Sequence, residues 1–75
     1  MLYTDYIESN AEVMLGKPVI KGTRLTVALI LKKLSEGATA QQLMIAYPNL
    51  SGAAINAVLA YASEVISNET IIAVA

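Results

Sequence analysis

All five basic residues of the chain, Lys17, Lys21, Arg24, Lys32 and Lys33, fall between positions 17 and 33, with no acid among them. The flanks are the reverse. Asp5, Glu8 and Glu12 stand before this stretch and Glu36, Glu64 and Glu69 after it, with no base in either flank. A formal net charge of −1 therefore conceals a local group of cations on an otherwise acidic chain. Such a group is either a solvated rim around one helix start or an anion-binding patch suited to a phosphate backbone. Arg24 adds a planar fork that fits a phosphate, a partner carboxylate or the carbonyls of its own loop. Two neutral side chains, Ser51 and Asn56, could address base edges, Asn56 through amide-to-adenine geometry. From Ser51 to Ile66 there is no Lys or Arg, so base reading by that stretch alone is not expected.

Catalytic chemistry has little to work with. Histidine and cysteine are both absent, which removes the commonest general base, the commonest metal ligand and any thiolate. The six carboxylates stand in no recognisable catalytic spacing, and no phosphate loop, nucleophile elbow or dinucleotide turn is present. The expectation is a protein that is not an enzyme and uses no metal or cofactor. The N-terminus lacks a basic region followed by an apolar core. The uncharged stretch 37–63 is broken by Gln41, Gln42, Pro48, Asn49, Ser51 and Asn56. Neither an export signal nor a membrane span is read, and a cytoplasmic location is expected.

Composition turns attention to partners. Hydrophobic residues are 56% and charged ones 15%, against about 45–50% and 25% in ordinary soluble domains. A chain of 75 residues is one domain with little interior for such an excess. Cores of this size rarely supply more than about 3–5 kcal/mol. Leu25, Leu29, the alanines of the third helix and residues 71–74 are the surplus, and a two-fold homodimer would bury it economically.

The elements that position these groups are read from periodicity and caps. Leu2 to Glu8 has strand-like composition, Ser9-Asn10 a turn signal, and Glu12 to Leu15 the makings of a return strand. Val19-Ile20 is a buried-looking pair closed by Gly22. From Thr26 the period becomes helical: Val27, Ile30, Leu31 and Leu34 share one face, Thr26 caps its start and Gly37 its end. Thr39 and Gln42 form a capping box for a second helix that Pro48 ends. Ser51 caps a third, with Ile55, Val58, Leu59, Ala62 and Val65 or Ile66 as its stripe. Helices are expected near 26–36, 39–47 and 51–66, the last two in a helix-turn-helix outline. The organisation is a β arm and loop over 1–22, a three-helix core over 23–66 and an extended tail over 67–75. The core should centre on Val27, Ile30, Leu31, Leu34, Leu43, Tyr47, Ile55, Val58 and Leu59. The apolar tail, with Ile71, Ile72 and Val74, would pair with the N-terminal strand, cross to a second subunit or dock on another protein.

Gly16-Lys17-Pro18-Val19-Ile20-Lys21-Gly22-Thr23-Arg24-Leu25-Thr26-Val27, followed at distance by Tyr47-Pro48-Asn49-Leu50-Ser51, resembles the small prokaryotic domain-of-unknown-function family numbered 433. The resemblance runs from about Val13 to Ala62. It implies a mainly α, homeodomain-like helix-turn-helix domain with a short N-terminal β arm or hairpin. It also implies an antitoxin encoded beside a PIN-like nuclease toxin. Relatives commonly carry acids at the starts of the first and third helices, where this chain has Val27-Ala28-Leu29 and Gly52-Ala53-Ala54. The expected function is that of a toxin-binding partner protein that also binds its own promoter. The alternatives are a stand-alone DNA-binding regulator and a purely structural oligomerisation module. The residues assigned to nucleic acid are Lys17, Lys21, Arg24, Lys32, Lys33, Ser51 and Asn56; those assigned to a protein partner are Leu25, Leu29, Ile71, Ile72 and Val74.

Overall fold

The computed structural model describes residues 3–9, 11–12 and 14–68. Two short strands, β1 (Ile7–Glu8) and β2 (Val19–Ile20), pair antiparallel with Ile7 opposite Ile20 and Glu8 opposite Val19. Three helices follow: α1 (Val27–Ser35), α2 (Ala40–Ala46) and α3 (Gly52–Asn68).

Each helix begins where a side-chain oxygen satisfies a first-turn amide that has no intrahelical partner. The Leu29 N–H donates to Thr26 Oγ1 at 3.0 Å, and the Ala54 N–H to Ser51 Oγ at 3.0 Å. At α2 the capping box is complete, with the Gln42 N–H donating to Thr39 Oγ1 at 3.1 Å and the Thr39 N–H to Gln42 Oε1 at 2.9 Å. Gly37 ends α1 at a φ of +100°, a conformation open to glycine without a Cβ clash. Its N–H donates to the Leu34 carbonyl and that of Ala38 to the Lys33 carbonyl, both at 3.1 Å. Pro48 stops α2 as expected, and the Leu50 N–H donates to the Tyr47 carbonyl at 2.9 Å to close the turn into α3.

The core joins all five elements. Ile30, Val19 and Val58 are fully enclosed, with Ile7, Ile20, Val27, Leu43, Leu50, Ala54, Ile55 and Ala57 around them. Leu31, Leu34 and Tyr47, expected at the centre, flank it half-buried. Leu59 does not belong to it and is 47% exposed. The buried side of α3 passes through Ala54, Ala57 and Val58. Alanines let the neighbouring elements approach closely there, and one further residue turns Leu59 about 100° away from Val58.

The N-terminal arm differs from the sequence reading in two places. Among the described residues of the first expected strand, 3–8, Ile7–Glu8 is strand and Tyr3–Asp5 is a 3-10 turn. The turn sets Tyr3 edge-on against Tyr61 of α3, with ring centroids 5.3 Å apart and planes at 78°. The return strand is Val19–Ile20, while Met14–Gly16 is a second 3-10 turn. Leu15 there has a φ of 57° and is 93% exposed, which breaks the extended path expected over 12–15. The Ser9 hydroxyl donates to the Gly16 carbonyl and ties the base of this loop. Ser67 and Asn68, expected in the tail, are the last residues of α3. The remaining tail, 69–75, lies outside the described residues, as do Leu2, Asn10 and Val13.

Candidate functional site

The loop from β2 to α1 is folded onto itself by its own polar groups. The Ile20 carbonyl accepts from both the Thr23 N–H (3.0 Å) and the Thr23 hydroxyl (2.8 Å), and Thr23 Oγ1 accepts in turn from the Leu25 N–H at 3.0 Å. The Ile20 N–H donates to the Leu25 carbonyl at 2.9 Å, and the Val27 N–H to the Pro18 carbonyl at 2.9 Å. Gly22 turns the chain at a φ of +77°, which a side chain would strain. With Thr23 consumed by backbone and Leu25 half-buried against the core, Arg24 is the exposed side chain on the far limb of the loop. Among the described residues no ion pair engages it.

Arg24 stands between two depressions. A cleft of about 270 Å³ lies between Thr23, Arg24 and Leu25 on one wall and Ala46, Tyr47, Pro48 and Asn49 on the other. A second, more open recess of about 440 Å³ shares Thr23 and Arg24 with it and is also bordered by Glu8 and Gly22. Thr23-Arg24-Leu25 and Tyr47-Pro48-Asn49, taken from the two segments that carry the resemblance, thus face each other across the cleft. Reading along the chain assigned them to separate tasks, a loop and a turn. Tyr47, Asn49 and Glu8 were missed as site residues; for Tyr47 and Asn49 the signal available was their place inside the same spaced motif, while Glu8 lies before it and carried no such signal.

The other assigned residues are dispersed. Lys17, Lys21 and Lys32 are exposed and Lys33 half-buried, the last two in the final turn of α1, where the helix dipole favours cations. None forms an ion pair among the described residues. Ser51 spends its acceptor on the Ala54 amide, whereas Asn56 is exposed on α3. Leu25 and Leu29 are both half-buried, Leu25 packed on the core cluster. Ile71, Ile72 and Val74 lie outside the described residues. Among the described residues the exposed large apolar side chains stand elsewhere: Leu15 in the arm, Ile45 (76% exposed) on α2, and Leu59, Val65 (43%) and Ile66 (63%) on α3.

Among the described residues no cluster of three carboxylates could hold a metal ion. Tyr3 is held above its ordinary pKa, first by desolvation against α3 and then by the Glu64 carboxylate that accepts its phenol. It stays protonated at neutral pH and serves as a donor. Among the described residues no helix is long and apolar enough to cross a membrane.

Comparison with known proteins agrees with the fold. No curated protein matches the chain. A crystal structure of a DUF433 member protein from Anabaena variabilis ATCC 29413 superposes with a TM-score of 0.76 at 24% identity, over 81% of this chain and 60% of that one. The present chain thus spans about three-fifths of its neighbour's length, and the likeness is one of fold. The family model described as "Protein of unknown function (DUF433)" matches residues 7–62, which include β1, β2, α1, α2 and both walls of the Arg24 cleft. By that match the chain belongs to the DUF433 family.

Proposed function

We propose that this chain is a non-enzymatic, cytoplasmic interaction protein of the antitoxin type: a homodimer that covers a PIN-like nuclease toxin and holds its own promoter through its cations. The observation that carries the partner-binding part is the apolar outer face of α3. Leu59 and Ile66, seven residues and so two turns apart, are 47% and 63% exposed, with Val65 beside them. An apolar stripe at helical spacing on the surface of so small a domain marks an interaction surface. The resemblance supplies the toxin class, and the cations, unpaired among the described residues, support the promoter contact. Those cations, with the α2–turn–α3 outline, also favour a second reading, a stand-alone DNA-binding regulator.

Two experiments test the reading. Expressing the neighbouring gene alone should arrest growth, and co-expressing this chain should relieve the arrest. A harmless neighbour, or one equally toxic with this chain present, overturns the antitoxin. Light scattering of the purified chain at micromolar concentration should report about twice 7.9 kDa, and Ile66→Asp should return it to that mass. A wild-type chain already at 7.9 kDa overturns the homodimer.

A further inference from the structure

The geometry points to the Arg24 cleft as a receptor for a single carboxylate side chain, presented by a protein partner. Arg24 is exposed, joined by no ion pair among the described residues, and set on a loop closed by four hydrogen bonds, so little backbone freedom is lost when it engages an anion. The guanidinium offers two parallel N–H donors, the match for a carboxylate. Leu25, Ala46, Tyr47 and Pro48 give the cleft apolar walls on which a methylene stem can lie. Its volume, about 270 Å³, is below that of most small-molecule pockets and suits one inserted side chain.

Charge decides between a carboxylate and a nucleic-acid phosphate. Glu8 borders the second recess, which shares Thr23 and Arg24 with the cleft, and does not line the cleft itself. The cleft is lined by one charged residue, Arg24, whose single positive charge one carboxylate neutralises. A duplex backbone, with a charge every ~1.7 Å of helix axis, would bring further phosphates against Glu8. The inference takes only the source of the carboxylate from the partner-protein reading, and the cleft is tested on the isolated chain.

The probe is N-acetyl-glutamate methylamide, titrated into the full-length 15N-labelled chain while amide shifts are followed. Thr23 to Leu25 and Ala46, Tyr47 and Asn49 should move saturably, and the neutral N-acetyl-glutamine methylamide should leave them still. Arg24→Gln should weaken the binding by at least about tenfold, and Arg24→Lys should recover only part of it, because the charge returns without the fork. Unchanged amide positions elsewhere show that either variant is folded. Absence of saturable shifts, equal shifts with the glutamine compound, or binding that survives in Arg24→Gln overturns the inference. So does a duplex DNA or inorganic phosphate that moves the same amides at lower concentration, which would make this a phosphate site. None of these results depends on whether co-expression relieves toxicity.

Discussion

Ile30→Ala is expected to lower the stability of the fold by about 2–5 kcal/mol, measured by chemical denaturation. Ile30 has no solvent exposure and lies in α1, in the buried cluster that joins the hairpin to α3. Removing three carbons there leaves a cavity that a short, two-strand hairpin and three helices have little freedom to close. A core of this size rarely supplies more than about 3–5 kcal/mol, so the variant should be largely unfolded at room temperature. Leu59→Ala, at a site 47% exposed, should cost less than about 1 kcal/mol. Leu31→Ala, half-buried at the edge of the cluster, should fall between them. A loss below about 1 kcal/mol for Ile30→Ala would mean that α1 turns a different face to the core. A Leu59→Ala penalty equal to that of Ile30, growing with protein concentration, would instead place Leu59 inside the dimer interface.

The helices were legible because their ends are written in local chemistry. Thr26, Thr39 with Gln42, Ser51, Gly37 and Pro48 each act within a few residues of themselves, and each does in the fold what its type implies. The arm was not legible for the converse reason. Strand composition at 2–8 and 12–15 says nothing about pairing, and the observed partner of Ile7 is Ile20, thirteen positions away. What selects that register is the self-bonded loop around Thr23, which holds Val19-Ile20 in place. On α3 the error was to weigh large side chains above small ones. Ala54 and Ala57 are at most 2% exposed, and their smallness is the reason Val58 rather than Leu59 meets the core. The cleft illustrates the same limit: no local rule brings position 24 beside position 47, because only the packing of α2 against the β2–α1 loop does so.

Binding to duplex DNA should weaken on the order of a hundredfold between about 50 and 200 mM salt, followed by anisotropy of a labelled duplex. The expectation comes from counting cations. Lys17, Lys21, Lys32 and Lys33 are unpaired among the described residues, and Arg24, with Glu8 nearby, is set aside. About four phosphate contacts release enough counterions to give a logarithmic salt slope near −3.6, or roughly 150-fold over a fourfold change in salt. Changing Lys32 and Lys33 together to Gln should flatten that slope by about two if both reach phosphate. Arg24→Gln should leave it nearly unchanged. Sequence preference should be slight, because α3 from Gly52 to Asn68 carries no cation and the Ser51 hydroxyl is already engaged by the Ala54 amide. Of the two neutral side chains assigned to base edges, Asn56 is the one left disengaged. A salt-independent affinity would remove the phosphate mechanism. A steep slope that collapses in Arg24→Gln would assign the arginine to DNA and take the carboxylate from its cleft.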